Sequence, residues 1–72
     1  MVFLMINMKG ANDMKLYNVY VYSNRDGLDV YMVRAVDPVD ARNVAVQRLI
    51  DETGDGLDVW EICEVLEVKE GA

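Results

Sequence analysis

The sequence predicts a small α+β domain in which a three-stranded antiparallel sheet carries one helix on one face. Three observations predict it. Two β-rich runs joined by a turn sequence come first, a segment with helix start and stop signals follows, and an alternating apolar run comes last. The element order is therefore β-β-α-β. The chain has 72 residues, of which 53% are apolar, and this size gives one domain near the lower limit for a self-sufficient core.

The two β-rich runs are "KLYNVYVYS" and "LDVYMVRAV", and "NRDG" joins them. Val and Tyr favour strands, and an Asp-Gly pair favours a tight turn. The runs therefore predict an antiparallel hairpin.

The helix is predicted to begin at "DPVD" and to end at a glycine. Asp37 is suited to cap the N-terminus, Pro38 to occupy the first helical position, and Asp40 to lie near the positive end of the helix dipole. The helix should run from Pro38 to about Glu52, with Gly54 ending it.

A helical wheel predicts which side of this helix is buried. One half carries five apolar residues and the stem of Arg42, whereas Val44 lies on the exposed half. The five are Val39, Ala45, Val46, Leu49 and Ile50.

The last run, "DVWEICEVLEVKEGA", fits two structures. Alternation places Trp60, Ile62, Leu66 and Val68 on one face of a strand, interrupted by Glu64. Helical spacing also fits, through Val59, Ile62, Cys63 and Leu66. The Val, Ile and Trp content favours a strand. Antiparallel pairing of this strand with the first gives the spatial order 2-1-3, with the helix across one face.

One helix covers one face of a sheet, so the second face is predicted to be apolar and open. The covered face is filled by Tyr17, Val19, Val21, Tyr31, Val33 and Ala35. The open face carries Tyr20, Tyr22, Leu28, Val30 and Met32, with Cys63 and Val65 from the third strand. Small proteins rarely leave such a patch in water. We therefore expect a homodimer that buries it, with Tyr20, Tyr22, Val30, Met32 and Val65 at the interface. The alternative is that the N-terminal "VFLMI" covers it.

Residues 1–13 differ from the rest of the chain. Met1, Met5, Met8 and Met14 are all possible starts, and "KGAND" before Met14 can be encoded by a purine-rich ribosome-binding sequence. We expect residues 1–13 to be a flexible extension of a bacterial or phage protein that starts at Met14, and residues 14–72 to be the domain. The alternative is an extra strand.

Charge limits the possible partners. The net charge is −6, and the isoelectric point is about 4.3, which argues against direct binding of nucleic acid. Residues 1–48 hold six basic and five acidic side chains, a net charge of +1, whereas residues 49–72 hold one basic and eight acidic, a net charge of −7. Cys63 is the only cysteine, and no signal peptide or membrane span is recognisable, so we expect a cytoplasmic protein.

The stretch "DETGDGLDVWE" raises the question of a calcium loop. Counted from Asp51, positions 3, 5 and 6 are Thr53, Asp55 and Gly56. Position 12, which needs a bidentate Glu, is Ile62, because Glu61 comes one residue early. We therefore expect no metal site. The glycines are instead expected to end the helix and form a turn.

Neither catalysis nor a cofactor is expected. The chain has no His, and Cys63 has no partner for activation. The four tyrosines of the hairpin lack the interleaved basic residues of a single-strand-binding platform and are expected to pack.

The acidic third of the chain predicts a protein-binding surface. Its eight carboxylates follow one another at intervals of about three residues: Asp51, Glu52, Asp55, Asp58, Glu61, Glu64, Glu67 and Glu70. In size, acidity, lone domain and late start, the chain resembles small acidic phage proteins that take over a host by mimicking DNA. The resemblance implies that it blocks a basic DNA-binding protein, such as an HU-like nucleoid protein, a polymerase or a nuclease, in the bacterial cytoplasm. Strand geometry places successive glutamates about 10 Å apart on alternating faces, so the mimic needs a dimer. The alternative is an adaptor domain that binds through its apolar sheet face or an edge strand, with the charge serving solubility.

Overall fold

The fold is a three-stranded antiparallel sheet with one helix across one face. A computed structural model of the chain describes residues 14–69. The elements are β1 (Lys15–Ser23), β2 (Gly27–Ala35), α1 (Pro38–Thr53) and β3 (Glu61–Val68), and the strand order is β2-β1-β3. The predicted fold class and strand order are confirmed, and the last apolar run is a strand. The expectations for residues 1–13, a flexible extension or a segment covering the sheet, lie outside the described residues.

The hairpin turn depends on one glycine and one buried hydroxyl. β1 and β2 pair from Lys15 with Ala35 to Ser23 with Gly27. Gly27 has a φ of +79°, a left-handed conformation that disfavours residues with a Cβ. The buried Ser23 Oγ accepts a hydrogen bond from the Asp26 N–H at 2.9 Å. The turn is therefore fixed by local chemistry.

Both ends of α1 lie where the sequence predicts them. The Asp37 carboxylate accepts a hydrogen bond from the Asp40 N–H at 2.8 Å, and Pro38 is the first helical residue. Gly54 has a φ of +82° and donates its N–H to the Ile50 carbonyl at 2.9 Å. These caps satisfy backbone groups that the helix itself leaves unpaired.

The buried side of α1 differs from the prediction. Ala41, Ala45 and Leu49 are fully buried, and Val44 packs half-buried against the core. The predicted core residue Val39 is 69% exposed. At 100° per residue, the helix is rotated by about a quarter turn from the predicted orientation.

Side-chain size explains this rotation. The core contains bulky side chains, including Tyr17 of β1 and the 4% exposed Trp60, which directly precedes β3, and the two alanines that α1 contributes to this core let the helix approach closely. Ile50, also predicted to be buried, is 41% exposed and lies over Gly56, where a Cβ would meet its Cγ1 at 3.4 Å.

The core lies between α1 and one face of the sheet. The predicted filling of this face by β1 and β2 is confirmed. Its buried members are Tyr17, Val19, Val21, Val33 and Ala35, with Tyr31 partly buried. The prediction that Trp60 and Ile62 complete this core is also confirmed.

A bulge in β3 reverses the predicted facing of its second half. Tyr20 pairs with Glu64, but the next residue, Val21, pairs with Ile62, so Cys63 has no partner on β1. Side chains of directly paired residues share a face, so the extra residue changes the alternation. Val65 pairs with Val19 and packs against the core. The prediction that Val65 lies on the open face is therefore wrong.

The bulge also moves Leu66 and Val68, in the opposite direction, from the covered face to the open face. They were expected on the covered face, but they pair with Asn18 and Leu16, which lie on the open face. Glu64 was predicted to interrupt the row of core residues on this strand. It pairs with Tyr20 and, like Tyr20, points away from the core, so the row is not interrupted.

Candidate functional site: the uncovered sheet face

The face of the sheet opposite α1 is a grid of four rows across three strands. Among the described residues, no helix or strand packs on it. In the order β2, β1, β3, the rows are Leu28, Tyr22 and Glu61; Val30, Tyr20 and Glu64; Met32, Asn18 and Leu66; and Arg34, Leu16 and Val68. We call these twelve residues the uncovered face.

Apolar side chains dominate the uncovered face and are accessible. Leu28 is 66% exposed and Met32 is 56% exposed, and Tyr22, Val30 and Leu66 are also exposed. With strands about 4.8 Å apart and rows about 7 Å apart, the eight apolar positions among the twelve span on the order of 270 Å². Apolar patches of about 300–600 Å² are the largest that ordinary monomers show, and they are often functional.

The bulge brings two carboxylates onto the uncovered face in successive rows. Glu61 pairs with Tyr22 and Glu64 with Tyr20. Because these tyrosines are two residues apart on β1, the glutamate backbones are separated by about 7 Å along the sheet. The expected spacing of about 10 Å on alternating faces is therefore wrong for this pair. The sequence carried one signal of the bulge, namely a charged residue where alternation demanded an apolar one.

One polar residue occupies the centre of the uncovered face. Asn18 lies between Met32 and Leu66, and its Oδ1 is buried without a hydrogen-bond partner in the described part of the chain. An unpaired buried acceptor costs about 1–3 kcal/mol. Sequence analysis did not identify this residue as a member of the uncovered face.

The loop between α1 and β3, residues 54–60, uses both of its carboxylates internally. Asp55 accepts a hydrogen bond from Arg25 Nη2 at 3.0 Å, which links the loop to the hairpin turn, and Asp58 accepts one from the Gly56 N–H at 3.2 Å. The Thr53 hydroxyl donates to the Leu49 carbonyl and accepts from the Asp55 N–H. These contacts hold the loop in place.

The carboxylates at the end of α1 are also engaged. Asp51 accepts a hydrogen bond from Gln47 Nε2 at 3.4 Å, and Glu52 accepts one from the Tyr31 hydroxyl at 3.1 Å. Partial burial and this bond to Glu52 raise the pKa of Tyr31 above its usual value. The hydrogen bond to Asp55 is the main cause that raises the pKa of Arg25.

The seven predicted partner-binding carboxylates that the structure describes therefore do not share one surface. Glu61 and Glu64 lie on the uncovered face, whereas Glu67 pairs with Tyr17 and lies on the face that α1 covers. Asp51 and Glu52 belong to α1, and Asp55 and Asp58 belong to the loop that follows it. Glu70 lies outside the described residues.

Other kinds of site were sought in the same part of the chain. No cluster of three or more His, Cys, Asp or Glu side chains in residues 14–69 is placed to hold a metal ion. The described residues enclose no pocket, and their single helix is neither long nor apolar enough to cross a membrane.

Comparison with known proteins adds no relative. No protein-family model, no curated protein and no solved structure matches the chain.

Proposed function

We propose that the protein is a non-catalytic binding module that recognises another protein through its uncovered face. The observation that carries this proposal is the contiguous exposure of Leu28, Val30, Met32, Tyr22 and Leu66 on one side of the sheet. Apolar side chains at such density are costly in water and gain free energy when a partner covers them. The proposed site of action is the bacterial cytoplasm.

The chemistry of the uncovered face favours a basic partner. Glu61 and Glu64 border its apolar rows on β3. A partner that places apolar side chains over Met32 and Val30, with Lys or Arg beside the two glutamates, satisfies both kinds of group. Two copies of this chain, each with a net charge of −6, repel one another, and the predicted homodimer therefore fits the face less well.

DNA mimicry is the second candidate function. It is favoured by the position of Glu61 and Glu64 in successive rows of the same face. Duplex DNA carries one charge per about 1.7 Å of axis, so a length of about 7 Å holds about four charges. Two carboxylates match about half of them. The mimic would bind a basic DNA-binding protein such as an HU-like nucleoid protein, a polymerase or a nuclease. It would need a second copy to supply the remaining charge.

The proposal is tested by comparing what matched variants capture. The full chain is immobilised and exposed to nuclease-treated bacterial lysate, followed by a salt step. Met32→Asp places a charge in the uncovered face, and Val39→Asp makes the same type of change on the outer side of α1. Glu64→Lys reverses a charge on the uncovered face, and Asp51→Lys does so on α1.

Each outcome separates the candidates. A protein retained through the salt step, lost with Met32→Asp and kept with Val39→Asp, supports binding through the apolar rows. A DNA-binding protein released by moderate salt and lost with Glu64→Lys, but not with Met32→Asp, supports the mimic instead. Retention that is equal for all four variants contradicts both.

A further inference from the structure

The two outer edges of the sheet differ in how their backbone groups are occupied. At the outer edge of β2, the Val30 N–H donates to the Asp29 carboxylate at 2.8 Å, and the Met32 carbonyl accepts from Arg48 Nη1 at 3.1 Å. Side chains that occupy backbone groups in this way protect an edge against pairing with another chain. One backbone group is therefore occupied at each of two successive outward positions of the β2 edge.

The register identifies the outward groups of β3. In an antiparallel sheet, both backbone groups of a residue point to the same neighbour, and the direction alternates along the strand. Because Val30 and Met32 point away from β1, their partners Tyr20 and Asn18 point towards β3. The residues opposite Tyr17 and Val19, namely Glu67 and Val65, therefore point away from the sheet.

This outward edge of β3 is open in the described part of the chain. No strand among residues 14–69 pairs with it. The bulge at Cys63 ends the regular stretch on one side, which leaves residues 64–68 as a regular template. Val65 and Glu67 offer two N–H and two C=O groups there.

Charge selects the occupant of this edge. Glu61 and Glu64 flank it on the uncovered face, and Glu67 flanks it on the other face. A second copy pairing there would bring its own three glutamates to the same edge, and close like charges repel one another. An extended segment with Lys or Arg complements them.

We infer that β3 binds an extended, basic segment of the partner protein by strand addition, so that the sheet gains a fourth strand. This inference rests on the proposed function and specifies how the partner is held. Successive rows of the uncovered face on β3 are Glu64, Leu66 and Val68 in the regular stretch and Glu61 beyond the bulge. The Glu61 row keeps the two-residue spacing of about 7 Å from the Glu64 row, because their partners are Tyr22 and Tyr20. Side chains of an added strand that share this face recur every two residues. The preferred segment is therefore basic at two alternate positions and apolar at the next two.

Synthetic peptides with this pattern test the inference on the full chain. The probe has Lys at positions 1 and 3, Val at positions 5 and 7, and Thr between them, and its reversed sequence covers the opposite strand direction. Two further versions carry N-methyl groups, one on the odd positions and one on the even positions. N-methylation removes the N–H donor and leaves the side chains and charge unchanged.

Strand addition predicts that one N-methylated version loses at least tenfold in affinity, while the other keeps the affinity of the parent peptide. In an added strand, the backbone groups of alternate residues face β3. N-methylation therefore weakens binding only at the odd or only at the even positions. Glu67→Pro should reduce binding by a similar factor, whereas Glu67→Gln should retain most of it. Proline is tolerated at a strand edge, and circular dichroism checks that the variant folds.

Two results would overturn the inference. Equal affinity of both N-methylated versions would mean that the peptide is held by side chains alone, and the proposed function through the uncovered face would remain. Absence of binding by the parent peptide in both directions would reject a basic strand as the occupant. The captures with Met32→Asp and Val39→Asp test the proposed function separately.

Discussion

Arg48 of α1 donates a hydrogen bond from Nη1 to the carbonyl oxygen of Met32, 3.1 Å away at the outer edge of β2. The contact ties the helix to an edge strand and occupies a group that would otherwise be free to pair. Met32 itself projects from the opposite side of the sheet, on the uncovered face. One residue of β2 therefore takes part in edge protection through its backbone and in the proposed binding surface through its side chain.

Removal of this cap should promote self-association. Arg48→Ala frees the Met32 carbonyl, and an exposed strand edge pairs with other chains. We expect sedimentation velocity to show concentration-dependent association of this variant. Arg42→Ala removes the same charge from another exposed position of α1 and should sediment like the parent. Identical behaviour of the two variants would mean that Arg48 does not protect the edge.

The orientation of α1 predicts unequal effects of two truncations. Leu49 is fully buried, so Leu49→Ala should lower the free energy of unfolding by about 2–5 kcal/mol. Val39 lies outside the contact between α1 and the sheet. Val39→Ala should therefore change the free energy of unfolding by less than about 0.5 kcal/mol. Urea unfolding followed by circular dichroism measures both. A larger loss for Val39→Ala would show that the helix uses the face predicted from the wheel.

The bulge predicts that β3 tolerates a deletion. Removing Cys63 leaves Ile62 and Val65 on the core face and Glu61 and Glu64 on the uncovered face, since the remaining residues then alternate regularly. We expect this deletion variant to fold, with a change of about 1–2 kcal/mol in the free energy of unfolding. Deletion of Tyr20 from the regular central strand reverses the facing of half of β1 and should prevent folding. Failure of both variants to fold would contradict the bulge.

The raised pKa of Tyr31 predicts a loss of stability in alkaline solution. The folded chain holds the phenolic proton more tightly than the unfolded chain, whose tyrosine titrates near 10. This contribution is fully present below pH 10 and is lost as the pH rises through the folded value. Tyr31→Phe lacks it, so the stability difference between the parent and the variant should shrink above pH 10. Urea unfolding at pH 8 to 11 measures this difference, and a constant value would show that Tyr31 is not responsible.

Local signals predicted the order and the ends of the elements. The Asp37 cap, Pro38 and Gly54 act within a few residues, so their effects can be read directly from the sequence. The facing of β3 and the rotation of α1 depend on contacts between distant segments. The bulge at Cys63 is defined only by the pairing of β3 with Tyr20 and Val21, and the burial of Ala41 in place of Val39 is defined only by the packing of α1 on the sheet.

The residues of the candidate site also divide into those that local sequence patterns predicted and those that depend on pairing between distant segments. Five of the β1 and β2 members of the uncovered face were predicted, because simple alternation holds there, whereas Leu16, Asn18 and Arg34 were not named. Its β3 members were mispredicted beyond the bulge: Val65 was included, whereas Leu66 and Val68 were assigned to the core. The acidic residues were recognised as a group from composition, but composition carries no information on faces. It therefore could not separate Glu61 and Glu64 from Glu67.

The most direct test of the proposed binding surface is amide hydrogen exchange of the full chain, free and bound to the protein that it captures. Binding through the uncovered face and the β3 edge predicts slower exchange of the Val65 and Glu67 amides in the complex. The amides at the outer edge of β2 and those of α1 should be unchanged. Protection confined to α1 or to the acidic loop after it would contradict the account and place the binding surface on the opposite side of the molecule.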